Sequence, residues 1–367
     1  MSIFKRIFSS YISHKKVSIR NSLIASAALF SINTNGAFAE SKNYVAVEPL
    51  TCDIVKSIAL PSDEVICLVD RKQDVHDLKI SPKQARLLKK ADKVFTLGTE
   101  MTPAMRNWVK RNSTVVLGVS AIDIDDHSGH DDDDDQGLSV KKNDSHDDHD
   151  DQVLSARKND GHDDHDDHDH GGVDPHVWHD PHNIIKMGDL ISKSLKKDIS
   201  VFNRGDRKLI NERFEKADSL LEGLDSWIVE QVSSIPEENR VIVSKHKAME
   251  YYGDAFGFET ISLLDFLGDS SSLRPDNISS TLKMFDEEKV QAIFPEQSPA
   301  SKLLRNLSRQ SSVPLASNQI FVDGLMMDGN TVSVAVHNTC TIVDSLGGSC
   351  DKESGSNLES EWYKLSD

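Results

Sequence analysis

Residues 43–70 read NYVAVEPLTCDIVKSIALPSDEVICLVD. Tyr44–Val47 is an apolar run of strand length, Asp53–Leu60 leaves room for a helical turn or two, and Val65–Val69 is a second apolar run. Downstream, Ser81-Pro82 opens a helix with Ser as N-cap and Pro at the first helical position, and Ala85, Leu88 and Ala91 recur at helical spacing. Val94–Leu97 is a third strand, Trp108 belongs to a further helix, and Thr114–Leu117 is a fourth strand. Short apolar strands that alternate with helices predict an α/β fold with a parallel sheet covered on both faces.

Beyond residue 174 the helical period dominates. Ile184–Leu195 reads as a helix. Arg204–Ile235 carries a longer amphipathic pattern (Phe214, Leu220, Leu221, Leu224, Trp227, Ile228, Val232) that Pro236 ends. A helix of about thirty residues is about 45 Å long, enough to run between two lobes. A second series follows: strand Val241–Val243, helix Leu282–Phe285, strand Val290–Phe294 and helix Ala300–Gln310. The polar stretch 351–367 is expected to fray.

The chain has 367 residues, which suits about two domains, and a net charge of −18. Fourteen of those charges come from residues 125–170, where 18 Asp and 8 His face four basic residues. No basic stripe exists elsewhere, which excludes a nucleic-acid partner. The Asp/His segment holds a tandem repeat, QGLSVKKNDSHDDHDD at 136–151 and QVLSARKNDGHDDHDD at 152–167, identical at 12 of 16 positions. A rigid site would not tolerate such duplication, whereas a solvated loop would, so 121–172 is expected to be disordered without metal. Its imidazoles, on His127, His130, His146, His149, His162, His165, His168 and His170, alternate with carboxylates and suit weak metal collection. The surrounding Asp charges favour protonated imidazoles, so this binding should strengthen as pH rises through neutrality.

At the N-terminus, Lys5, Arg6, Lys15, Lys16 and Arg20 precede a short apolar run, Leu23–Phe30, and Ala37-Phe38-Ala39 supplies a small-x-small cleavage site. This pattern predicts an export signal over residues 1–39 rather than a membrane span, because the apolar run is too short. No Cys stands at the cleavage point, so a lipid anchor is not indicated. Cys52, Cys67, Cys340 and Cys350 permit three disulfide pairings, of which short separation favours Cys52–Cys67 and Cys340–Cys350.

Three further histidines stand where ligands are expected. His76 and His246 follow strands, and open α/β sheets bind ligands beyond the carboxyl ends of their strands. His176 lies in the stiff segment Asp174-Pro175-His176-Val177-Trp178-His179-Asp180-Pro181. Three imidazoles leave the fourth position of a tetrahedral site to a carboxylate, Glu296 or Asp323, or to water. No HExxH, Walker A or dinucleotide fingerprint occurs, and no general base stands near His176 and His179 to suggest a metal hydrolase.

These residues resemble the zinc- and manganese-binding solute-binding proteins of ABC transporters, over nearly all of 44–325. The resemblance rests on Asp174–Trp178 with Asp180-Pro181, on Val241–His246 followed by Tyr251-Tyr252 and Gly257-Phe258, on Ala292–Glu296, and on Val322–Leu325. It implies two parallel-sheet α/β lobes joined by a long rigid linker helix, with the metal in the interlobe cleft. The corresponding spans are an N-terminal lobe at 40–199, a linker at 200–236, a C-terminal lobe at 237–350 and a tail at 351–367. By carry-over His76, His176 and His246 are ligands, Asp323 occupies or flanks the fourth position, and Glu296 serves packing or supports the ligands without touching the metal. His246, where manganese-binding members carry Glu, argues for Zn2+ as cargo. The implied protein is a periplasmic monomer, not an enzyme, that hands zinc to an ABC permease with its cytoplasmic ATPase. A zinc buffer working through the Asp/His segment, and a manganese-binding relative, are the competing readings. The chain departs from the family pattern at Asp74-Val75-His76, which lacks the usual Pro-His pair, and at His179 and Ala292.

Overall fold

The computed structural model describes residues 41–122, 174–267 and 275–366. The export segment and all eight histidines of the Asp/His segment lie outside them. Four parallel strands, β1 (Asn43–Ala46), β2 (Glu64–Cys67), β3 (Lys93–Thr96) and β4 (Thr114–Val116), form one sheet in the order β2-β1-β3-β4. Val45 pairs with Ile66 on one side and Val94 on the other. Tyr44, Val45 and Ala46 are buried, as the central strand of a parallel sheet requires. Its helices are α1 (Pro49–Ile58), α2 (Pro82–Lys90) and the short α3 (Val119–Ile122). The expected Ser81 cap of α2 forms a capping box with Gln84. Trp108 closes a 3-10 turn, Pro103–Asn107, rather than entering an α-helix.

Two long helices follow, α4 (Pro181–Lys197) and α5 (Arg204–Val232). At 29 residues, α5 is about 43 Å long. Ile210, Ala217, Leu221, Leu224, Trp227 and Ile228 form its buried stripe. It packs on α1 and α4 from the first half of the chain and on the helices Glu250–Phe256, Thr331–Ser345 and Lys352–Ser366 from the second. One hydrophobic core therefore runs from Tyr44 to Leu365 through this helix, which makes the link stiff.

The second half carries β5 (Val241–Ser244), α6 (Glu250–Phe256), β6 (Glu259–Ser262), α7 (Leu263–Leu267), α8 (Pro275–Glu287), α9 (Lys302–Ser311), α10 (Thr331–Ser345) and α11 (Lys352–Ser366). Strands β5 and β6 pair in parallel. The strand expected at 290–294 contributes single parallel bridges at Ile293, to Val243 and to Leu315, which continue the sheet without a full ladder. The architecture is two parallel-sheet α/β lobes joined by a long helix.

The expected frayed tail is corrected. Residues 352–366 form α11, anchored by Gly355, Trp362 and Leu365 at helical spacing. Trp362 is fully buried, and its Nε1 donates to the Asp53 carboxylate at 2.8 Å. Asp53 Oδ2 also accepts from the Thr331 backbone N–H at 2.9 Å and hydroxyl at 2.6 Å, so one buried carboxylate joins α1, α10 and α11. The cysteines pair as Cys52–Cys67 and Cys340–Cys350. No helix among the described residues is long and apolar enough to cross a membrane.

Candidate metal centre

His76 and His246 sit on the loops that leave the carboxyl ends of β2 and β5. His176 precedes a 3-10 turn, Val177–His179, from which Asp180 caps α4 and Pro181 starts it. Two of these loops share a local device. Asp74 Oδ1 accepts the His76 N–H at 2.8 Å, and Asp174 Oδ1 accepts the His176 N–H at 2.8 Å. Each Asp-x-His thus closes an Asx-type turn that fixes the backbone carrying the imidazole.

The three rings converge on one atom. Asp323 Oδ1 lies 3.1 Å from His176 Nε2, 3.3 Å from His246 Nε2 and 3.4 Å from His76 Nε2. The far nitrogens of two rings are taken by carboxylates. His176 Nδ1 donates to Asp174 at 2.7 Å and His246 Nδ1 to Glu296 Oε2 at 2.7 Å. Glu296 Oε1 accepts the backbone N–H groups of Lys245 (2.8 Å) and His246 (3.0 Å), so Glu296 backs the third histidine and Asp323 faces it. Those donations fix the ring orientations and turn both Nε2 atoms toward Asp323, where each is a proton donor in the cation-free protein and a ligand atom once the proton has left.

Burial is graded. The side chain of His176 is 0 % exposed, that of His246 15 %, and that of Asp323 47 %. A cavity of about 170 Å³ adjoins them, lined by residues that include His76, Lys245, His246, Glu296 and Asp323. The carboxylate therefore stands at the mouth of the site and the imidazoles form its floor.

The protonation equilibria follow from this geometry. Burial alone would depress His246, but the Glu296 charge and the bonds to Asp323 and Glu296 push it up to about 10. His176 is raised likewise, by Asp174 and Asp323 against burial. Burial pushes the Asp323 carboxyl up, yet bonds from His176, His246 and His76 reverse this and hold it well below the ordinary range. His179 goes the other way. Burial and the neighbouring His176 push it down to about 4, so it is a neutral donor, and its Nε2 donates to the Val322 carbonyl at 3.2 Å. That bond supports the backbone next to Asp323 and was not foreseen from sequence, since a backbone acceptor leaves no residue signature. Elsewhere, Asp180, His182 and Asp225 bring donor atoms within 4.8 Å at the start of α4, with His182 exposed. His337 bonds the Gln319 carbonyl at 2.8 Å.

A cluster of imidazoles and one exposed carboxylate, on loops from both lobes, suits a protein that takes up and surrenders a small ion. Comparison with known proteins places the chain among the substrate-binding proteins of metal ABC transporters, which are not enzymes. Residues 45–345 match the family model described as "Zinc-uptake complex component A periplasmic", and the chain belongs to that family. Among similar proteins, the manganese-binding lipoprotein MntA of Halalkalibacterium halodurans is 28 % identical over 179 residues, 48 % of this chain and 58 % of its own length. The chain thus spans little more than half of that relative. The manganese ABC transporter substrate-binding lipoprotein PsaA of Streptococcus mitis is 21 % identical over 308 residues, 84 % of this chain and 89 % of its own. In fold, the chain is similar to the periplasmic zinc-binding protein TroA of Treponema pallidum, with a TM-score of 0.62 at 21 % identity, covering 84 % of this chain and all of that one.

Proposed function

We propose that this protein binds Zn2+ in the periplasm through His76, His176, His246 and Asp323, and delivers it to an ABC permease driven by a cytoplasmic ATPase. One observation carries the reading: three Nε2 atoms stand 3.1 to 3.4 Å from a single carboxylate oxygen. A charge-assisted hydrogen bond is normally about 2.7–2.9 Å, as in the two 2.7 Å bonds at Asp174 and Glu296. Four donors about 2.0–2.1 Å from zinc lie about 3.3 Å apart along the edges of a tetrahedron. The spacing at Asp323 is of that order, and the donor atoms of His76, His176 and Asp323 also lie within 4.8 Å of one another. The donor set agrees, since three imidazoles suit zinc and manganese prefers oxygen.

In this reading the lobes are 40–199 and 237–350, the linker is 200–236, and the molecule acts as a monomer. The eight histidines of the Asp/His segment collect further zinc at lower affinity. Manganese is the second reading, favoured by the names of relatives such as PsaA. The test is a zinc and a manganese titration of the chain lacking residues 125–170, alone and with His176→Ala and His246→Ala together. One tight zinc that the double substitution abolishes is expected. A double variant that still binds one zinc as tightly would sink the ligand assignment, and tighter manganese would overturn the choice of cargo.

A further inference from the structure

The segment that carries Asp323 is held on both sides by side chains from the other half of the chain. His179 grips the Val322 carbonyl before it. After it, Arg71 Nη1 faces the carbonyl oxygens of Met326 at 2.8 Å, Met327 at 3.1 Å and Gly329. Further along, Thr331 is fixed by the buried Asp53, itself within the field of Arg71. The two anchors differ in kind. Asp53, Thr331 and Trp362 belong to the core, whereas Arg71 is exposed and sits on the His76 loop, five residues before that ring. A single guanidinium therefore ties the loop of the first histidine to the loop of Asp323 across 255 residues of sequence.

We propose that Arg71 is a positioning residue: a latch that holds Asp323 against the three imidazoles and so sets how fast the bound cation leaves. The inference rests on the proposed ligand role of Asp323 and adds to it. Charged donors to carbonyls are the strong class of hydrogen bond, and Asp323, half exposed, has little packing of its own to keep it in place. With Arg71 removed, the 323–329 segment keeps its ends but loses its middle restraint, and the carboxylate spends more time turned out to solvent. The core bonds at Asp53 are untouched, so fold stability should change less than release.

The test is the zinc dissociation rate of the full chain, loaded with one equivalent and mixed with excess chromogenic chelator. Arg71→Ala is expected to speed release about tenfold or more, the loss of one to two charged hydrogen bonds. Arg71→Lys keeps the charge and one donor and should release at an intermediate rate; it also serves if the Ala variant does not fold. Because Arg71 acts through Asp323, Arg71→Ala should add less than about twofold in an Asp323→Ala background, a sign of full coupling. If Asp323→Ala speeds release and neither Arg71 variant does, the latch is wrong while the ligand role stands. Equal acceleration by Arg71→Ala in both backgrounds also overturns it. If Asp323→Ala releases zinc like the unaltered chain, the ligand role itself fails and the latch with it.

Discussion

Replacing Glu296 with Gln separates two effects that the same carboxylate has on the third histidine. Glu296 holds Nδ1 of His246 at 2.7 Å and so aims Nε2. Losing an orienting carboxylate of this kind weakens metal affinity about 10–100-fold. The same charge, with the bonds to Asp323, is what pushes His246 up to about 10 in the cation-free protein. At pH 7 an arriving cation must therefore displace a proton held about three pH units above ambient, which costs about 4 kcal/mol. Gln removes the Glu296 share of that competition. The two effects have opposite signs and different pH windows. Near pH 10 the imidazole of the unaltered protein is about half deprotonated, so the proton costs it only about twofold, and the orienting loss dominates: the variant binds zinc about 5–50-fold more weakly. As pH falls toward 7 the unaltered protein loses affinity to the proton faster than the variant does, so the gap narrows. Zinc affinity by chelator competition between pH 7 and 9.5, on chains lacking residues 125–170, measures both curves. A gap that stays constant over this range would refute the charge argument, and no gap at pH 9.5 would refute the orienting role.

The remaining expectations concern the frame around the site. His179 is pushed down to about 4, below an unfolded value near 6.5, so the unfolded chain takes up a proton that the folded chain refuses. Cation-free stability attributable to His179 is therefore lost as pH falls from about 6.5 to about 4, by up to about 3 kcal/mol. Urea unfolding should show a steeper acid loss in the unaltered protein than in His179→Gln, and parallel curves would contradict this. Trp362→Phe keeps only a smaller aromatic ring, strips the buried Asp53 of one donor and leaves a void at a fully buried position, which should lower unfolding stability by at least about 1–3 kcal/mol. An unchanged urea midpoint would show that α11 does not anchor the fold. Opening Cys52–Cys67, separated by 15 residues, with a double Ser substitution should cost about 3 kcal/mol and still leave one tight zinc per chain when residues 125–170 are deleted.

Much of the frame could be read from residues alone, because apolar runs such as Tyr44–Val47 and the Ser81-Pro82 cap are local signals. Helix α10 was not readable in this way. Val332, Val334, Val336, Thr339, Thr341, Ile342 and Val343 are β-branched and give no clear helical face, because the helix is buried nearly all round. Its start is marked only by the Asn330–Ser333 capping box. In the polar 351–367 stretch a single Trp and its spacing from Gly355 and Leu365 outweigh the charges, since one buried Trp contributes more than several exposed polar residues cost. At the site, the strand-end positions of His76 and His246 and the stiff segment around His176 were legible. The partition of carboxylates came only through the family resemblance, because residues alone do not tell that Glu296 reaches Nδ1 and Asp323 reaches Nε2 of one ring. The roles of His179 and Arg71 were not legible, because their partners are backbone carbonyls far along the chain.

The most direct test of the account is X-ray absorption at the zinc edge on the chain lacking residues 125–170, loaded with one equivalent. A four-coordinate ion with three imidazoles and one carboxylate oxygen, all at about 2.0–2.1 Å, is expected. In Asp323→Ala the oxygen scatterer should become water or vanish, with the imidazole count unchanged. A six-coordinate shell dominated by oxygen, or fewer than three imidazoles in the unaltered site, would contradict it.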